Sequence, residues 1–489
     1  MKTPRLRTAL AVMACFLVAG TGLSAQDAPE TSSKYKPREQ QLYFDIPLTF
    51  AEITMYCLIG NFGWRLWGPD PEAAYFTADS IRTNLNPDAW SYEEGLGGDN
   101  FITNQFFHPY AGALYFSSAR SNNINFYWSI LASTFGGVYW ETLGEQDSPA
   151  ANDAITTAAG GIVIGEILHR LYFEFDRGGI GGKIGATLLS PSDRITSFLR
   201  GYGPVEGPDN LRDTSLYFGV SWINARFVED NNKTSSWNQP AAFIGLDLVY
   251  GNPFTTYSKT PFDQFDVVAS ALASIPTAFN FDVITDGYLA AWQMADDDVN
   301  QASNGITMHF DAYIMNKGTF IDLNAGRDNL NFTANSLDYT IKWRHLLGES
   351  LEFSLKTHLG ITPWAVANYN GGITKDDYNL FLFGGNAKLF LELRPKKEEG
   401  DTKNEQDLKL TLCLFDSYNY PSTPGPRANT FFLFSNIAYS FPLAGNLSLY
   451  LADSFSFLNC NLTENLGPDF TDISRWFNNT QVGLKISFN

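Results

Sequence analysis

The chain has 489 residues and a mass of 54.4 kDa, room for two to four ordinary domains or one large closed barrel. Only 17% of residues are charged and 15% are aromatic, a balance that argues against a well-solvated cytosolic enzyme. The formal net charge of −19 argues against nucleic acid as a partner, because phosphate binding needs a basic patch.

Lys2, Arg5 and Arg7 open the chain, and an apolar run follows from Ala9 to Gly20. Leu23-Ser24-Ala25 then reads as a cleavage site, so residues 1–25 are predicted to be a secretory signal peptide and 26–45 a linker. The apolar run is too short to span a bilayer. Beyond the leader stand Cys57, Cys413 and Cys460, an odd number at wide spacing with no Cys-x-x-Cys pair. They indicate neither a zinc site nor a disulfide framework. A Cys413–Cys460 bridge is open to them in an oxidising compartment, but small strand side chains are the simpler reading.

Residues 46–175 are predicted to be helical. Phe126 to Leu143 and Ala154 to Leu171 are apolar runs with helix spacing, joined by a Gly-, Asp-, Ser- and Pro-containing loop from Gly144 to Ala151. They read as a helical hairpin with Asn152 as an N-cap, Arg170 near a C-terminus, and Glu166 and Arg170 paired at i, i+4.

Within this region stand Thr103-Asn104-Gln105, His108-Pro109-Tyr110, Gly112, Tyr115-Phe116, Arg120-Ser121-Asn122, Trp140-Glu141, Asn152-Asp153, Gly160-Gly161, Gly165-Glu166 and Arg170. In these residues the chain resembles the domain of unknown function 3943 family of bacterial envelope proteins. The resemblance implies an envelope location and no particular chemistry. It leads one to expect a glycine after Arg120-Ser121-Asn122, where this chain has Asn123. Asn104, His108, Arg120, Trp140, Glu141, Asn152, Asp153, Glu166 and Arg170 are expected to form a polar network that locks the helices together, since buried polar groups pair. The catalytic alternative makes His108 a general base, with Glu166 as a second candidate. Ser117, Ser118 and Ser121 are nucleophile candidates by proximity alone, as no Gly-x-Ser-x-Gly elbow occurs in this stretch. Glu166 and His169 at i, i+3 are half of a di-iron motif without a second half, so no metal and no cofactor is expected. The glycine pairs 178–179 and 181–182 lack a phosphate-loop ending and are read as a junction.

From about residue 180 onward the period is two. Ile306 to Ala312, Leu337 to Trp343, Leu351 to Leu359, Ala387 to Leu393 and Leu408 to Leu414 alternate apolar with largely polar residues. The chain ends Val482, Leu484, Ile486, Phe488 with Gly483, Lys485 and Ser487 between, an amphipathic last strand like the sorting signal of bacterial outer-membrane proteins. Asp296-Asp297-Asp298 lacks calcium-loop spacing and reads as a solvated turn.

Residues 180–489 are therefore predicted to form a transmembrane outer-membrane β-barrel of about twelve antiparallel strands, preceded by the helical hairpin domain. Asp311 and the residues Asp338, Lys342, Arg344, Glu352, Lys356, Lys388, Glu392 and Arg394 are predicted to face a hydrated lumen. The function that follows is a channel or a transport protein binding a solute or lipid, gated or plugged by its helical segment. An enzyme embedded in the membrane and acting on lipid or envelope polymer is the alternative, and a structural envelope protein the third. The partners expected are outer-membrane lipid, the barrel-assembly machinery and a small solute or lipid ligand.

Overall fold

A computed structural model describes residues 45–68, 71–92, 101–202, 210–229, 234–252, 254, 260–274, 278–316, 329–369, 378–396, 406–420, 427–463 and 472–488. The predicted leader and the predicted linker up to residue 44 lie outside the described residues. The chain divides into a helical unit reaching Asp209 and a barrel unit from Asn210, which also takes in residues 94–101.

In the helical unit α1 is Ile46–Trp67, α2 Ala78–Asn84, α3 His108–Ser121, α4 Phe126–Tyr139, α5 Ala151–Asp176, α6 Ile180–Leu189 and α7 Pro191–Arg200. Their ends follow from the sequence. Asp45 accepts the Leu48 N–H at 2.9 Å, Asn125 accepts the Trp128 N–H at 3.1 Å, and Gly201 leaves α7 at φ 67°. One π-helical turn, Thr103–Phe107, leads into α3, and another, Trp140–Gly144, follows α4. Helices α3 and α5 meet at Gly112 and Gly161, where a methyl group on Gly161 would stand 2.5 Å from the Gly112 backbone. Only glycine permits that approach. No helix among the described residues is long and apolar enough to cross a membrane.

Three local expectations are corrected. The hairpin is part of a larger helical unit, because α6 and α7 occupy 180–200, where barrel was expected. The glycine pairs belong to that extension: Gly179 precedes α6 and Gly182 is buried within it. Asn152 does not cap α5. Ala150 holds the cap position, and Asn152 turns its amide onto Asp153 at 2.7 Å. By contrast Asn123 adopts φ 64°, the left-handed backbone that glycine favours and Asn tolerates. The turn expected of a glycine is thus kept without one.

The second unit is a closed antiparallel barrel of twelve strands: β1 Leu211–Glu229, β2 Thr234–Tyr250, β3 Phe265–Ser274, β4 Ala278–Asp296, β5 Asn300–Asn316, β6 Asn329–Leu347, β7 Leu351–Tyr369, β8 Tyr378–Pro395, β9 Asp407–Asn419, β10 Ala428–Ala444, β11 Leu447–Leu462 and β12 Ile473–Phe488. Strand β12 closes the ring on β1, with Thr214 opposite Phe488 and Glu229 opposite Ile473. Most strands exceed the nine to eleven residues or so that cross a bilayer. Tight turns at Gly348 and Gly445, both at positive φ, join β6 to β7 and β10 to β11 at the end where β1 begins. We call this the turn end. Asp297 shapes the β4–β5 turn there by accepting the Val299 and Asn300 N–H groups, so the aspartate triplet is a solvated turn.

Strand pleating makes the barrel two-faced along its length. Toward the turn end Val220, Leu359, Ile361, Ile437, Phe441 and Val482 point outward and are exposed, while the inward residues are charged. Toward the opposite end the inward residues become apolar. Phe332, Phe415 and Phe432 group there with Tyr313, Leu380 and Leu458, and the Phe332 and Phe432 rings stack at 4.5 Å. The outward face there carries Asn224, Asn238, Asn331 and Asn478 on β1, β2, β6 and β12.

Candidate functional site

The helical unit buries charge in separate clusters. Glu166 on α5 is wholly buried and receives Arg120 of α3 at 2.6 and 3.2 Å and Arg170, one turn along, at 2.9 Å. Burial alone would raise the Glu166 carboxyl, and the two guanidinium groups outweigh it and hold the carboxyl below its ordinary range. Arg120 also reaches the Ile124 carbonyl at 2.9 Å, tying α3 to the approach of α4. A second cluster forms where α3, α4 and α5 begin or end. His108 Nδ1 lies 3.1 Å from Thr157 Oγ1, its Nε2 lies 3.7 Å from Asp153, and Glu141 accepts the Ala150 N–H at 2.8 Å. The third cluster was not foreseen. Here α7 inserts Ser192, Asp193 and Thr196, all buried, against α1, α3 and α5. Asp193 bonds His169 at 2.8 Å and Ser190 at 2.7 Å, and Ser192 donates to Tyr56 at 3.0 Å. Thr196 donates to Glu52 at 2.8 Å. Burial pushes the Glu52 carboxyl up to about 7, against the Thr196 hydrogen bond and with Asp193 adding to the shift. Burial lowers His169, with Asp193 opposing.

In the barrel the inward charges join across the lumen. Lys356 of β7 binds Asp266 of β3 at 2.6 Å and Asp286 of β4 at 2.5 Å. Lys342 of β6 reaches the same Asp266 at 3.4 Å. Lys388 of β8, with no side-chain exposure, pairs with Asp311 of β5, and Asp338 of β6 lies 3.9 Å from it. Nearer the turn end Arg394 holds Glu352 at 2.8 Å and stands 3.8 Å from Glu392, and Arg344 approaches Glu352 at 3.8 Å. Lys409 of β9 meets Asp247 of β2 at 3.0 Å, five places away around the ring. Arg475 of β12 donates to the Asn329 carbonyl of β6, the strand diametrically opposite, at 2.6 Å. The lumen is thus bridged by its own side chains at several levels.

Residues 95–192 match the family model described as Domain of unknown function (DUF3943). This span runs from before α3 into α7 and contains every residue that carried the resemblance read above. No curated protein matches the chain. Among solved structures, a deltaS2 mutant of the TodX monoaromatic hydrocarbon channel is similar at 10% identity and TM-score 0.25, over 62% of this chain and 94% of that one. The NanC porin is similar at 8% identity and TM-score 0.22, over 54% and 99%. The translocator domain of the autotransporter NalP from Neisseria meningitidis is similar at 10% identity and TM-score 0.24, over 57% and 89%.

The DUF3943 residues do not form one network. Asp153 and Glu166 are separated by thirteen residues of α5, about 20 Å along its axis. His108, Glu141 and Asp153 therefore stand apart from Arg120, Glu166 and Arg170. Of the two catalytic candidates, Glu166 is committed to arginines, and the hydroxyl beside His108 belongs to Thr157. Ser117 donates to the Gly165 carbonyl, Ser118 pairs with Ser192, and Ser121 with Thr196, so these candidate nucleophiles are engaged elsewhere. His169 turns to Asp193 and shares no site with Glu166. Trp140 packs its ring beside Gly60 and Gly144, and Asn104 is fully buried in the π-turn before α3. Outside the DUF3943 segment, Cys413 and Cys460 are free and buried on the inward faces of β9 and β11. The inward residues Asp338, Glu352, Lys356 and Lys388 are buried, and Lys342, Arg344, Glu392 and Arg394 are half-buried. Sequence reasoning also passed over His309 and His358. Both stood on the polar faces of recognised strands, and only the assembled ring sets them beside Asp338.

Proposed function

We propose that the chain is an outer-membrane transport protein whose barrel is a passage for a small polar or ionic solute, held closed by its own lumen side chains. The observation that carries this reading is the set of ion pairs spanning the lumen at Lys356, Lys388 and Lys409. A barrel that only anchored a domain would be at least as stable with apolar side chains in these places, because burying a charge pair costs about as much as its attraction returns. Ionisable groups kept within a membrane protein's interior mark paths for ions or solutes. The outward apolar residues Leu359, Ile361, Ile437 and Val482 form the lipid-facing belt at the same level as these charges. Closure rests on two layers, the ion pairs and the aromatic group of Phe332, Phe415 and Phe432.

The test is conductance of the purified full chain in planar bilayers. Wild type is expected to be silent or to open rarely. A variant with both layers thinned, Asp266→Ala with Lys356→Ala and Phe332→Ala with Phe432→Ala, is expected to conduct steadily once its heat-modifiable migration shows a closed barrel. A large constant conductance of wild type would refute the closed state. Silence of the folded, thinned variant would refute the passage.

A further inference from the structure

From the lumen geometry we infer that His309, Asp338 and His358 form a binding site for a divalent transition-metal ion, with zinc the ion it fits. The three stand on consecutive strands β5, β6 and β7, all inward and no more than 2% exposed. Register explains the meeting. Asp338 lies opposite Thr307, two residues from His309, and Thr340 lies opposite His358, so the carboxylate sits between the two imidazoles. One ligand atom from each residue falls within 4.8 Å of the other two. Nε2 of His309 is already 3.1 Å from Oδ2 of Asp338, close to the edge of a tetrahedron with bonds of about 2.0–2.1 Å. The remaining edges need to close by up to about 1.5 Å.

The surroundings orient His358 and Asp338 as a metal site requires. His358 Nδ1 is held at 2.7 Å by Thr340 Oγ1, which leaves Nε2 buried without a hydrogen bond. A ligating histidine characteristically engages its second ring nitrogen in this way. Asp338 Oδ1 accepts from Asn386 at 2.9 Å, and Ser336 supports Oδ2 at 3.3 Å. Thr307 Oγ1 lies 2.8 Å from His309 Nε2 and 2.7 Å from Thr340 Oγ1, so an ion at this nitrogen takes the place of the Thr307 hydroxyl. The same stretch of lumen sets Asp266, Asp286, Asp311 and Asp338 against Lys342, Lys356 and Lys388. Two imidazoles and one carboxylate select zinc-like ions over calcium or magnesium, which take oxygen ligands. Three protein ligands leave a position open. This site does not depend on the barrel's being a passage.

The test is metal content and spectroscopy of the full chain in detergent. After loading with Zn2+ and dialysis, one zinc per chain is expected, with two imidazole nitrogens in its X-ray absorption spectrum. Co2+ loading should give the visible bands of a four-coordinate N/O site. His309→Gln and His358→Gln should each abolish stoichiometric binding, while His345→Gln, at the turn end, should retain it. Wild type that holds no stoichiometric ion would overturn the site, as would binding that survives in both folded variants. Should either variant fail to close its barrel, the wild-type absorption spectrum decides: two imidazoles support the site, and none overturns it.

Discussion

Both units bury charge, and they do so on different terms. In the helical unit the pair Glu166–Arg170 is set by one turn of α5, and Arg120 joins it once α3 and α5 meet at Gly112 and Gly161. Glu166 therefore has two cations, and the loss of either leaves it partnered. In the barrel the partners of Lys356 lie on β3 and β4, 90 and 70 residues away in sequence. The pairs of Lys356, Lys388 and Lys409 join strands that are not neighbours, and Asp311 among them meets one cation, Lys388. The contrast teaches that pairing in the helices follows helix geometry, whereas pairing across the lumen is as strong as the register that creates it.

The largest effects test that contrast. Lys388→Ala strands Asp311 in the lumen and should cost about 3–5 kcal/mol of barrel stability, read from chemical unfolding in vesicles. Adding Asp311→Ala should recover most of the loss. Glu352→Arg should cost a similar amount, since it sets a third cation beside Arg344 and Arg394. Arg170→Ala should cost only about 1.5–3 kcal/mol, because Arg120 remains on Glu166. Equal losses from Lys388→Ala and Arg170→Ala would erase the distinction.

Next come the exposed apolar residues of the two units. Leu359→Arg enters the lipid-facing belt and should cost about 2–4 kcal/mol. Ile180→Arg, on an exposed face of α6, should stay within about 0.5 kcal/mol. The same unfolding experiment separates them, and equal costs would mean that α6 also faces an apolar surface.

Acid–base behaviour gives a smaller effect confined to the helical unit. The Glu52 carboxyl sits at about 7 against an ordinary value of 4.5. The folded state then binds more protons than the unfolded state between these values, so stability should fall as pH rises from about 4.5 to 7 and level off above it. The loss is on the order of 3 kcal/mol. Glu52→Gln should flatten that slope, as measured by hydrogen exchange across α1 and α7 in the full chain. A slope unchanged in Glu52→Gln would assign it to another group. The smallest effect belongs to Asn123. Asn123→Gly should be neutral or stabilising by less than about 1 kcal/mol, and Asn123→Val should cost about 1–2 kcal/mol, since φ 64° suits glycine and not a branched side chain.

Much of this architecture is written locally. The strand segments beginning at Ile306, Leu337, Leu351, Ala387 and Leu408 show period two because one side of each faces outward from the barrel and the other the lumen. The last strand was readable from Val482, Leu484, Ile486 and Phe488 for the same reason. The motif from Thr103 to Arg170 placed the DUF3943 segment, and the 3.6-residue period placed Glu166 above Arg170. Local pattern misled where two periods met. Residues 180–200, where a glycine junction and then barrel were expected, fold as α6 and α7 because Ser192, Asp193 and Thr196 find buried partners on α1, α3 and α5. What only the tertiary structure decided is which charge meets which. Alternation states that Lys356 and His358 point inward, but not that Asp286 or Asp338 awaits them. That depends on strand number, ring closure and the stagger between strands, which are properties of the whole sheet and of no single segment.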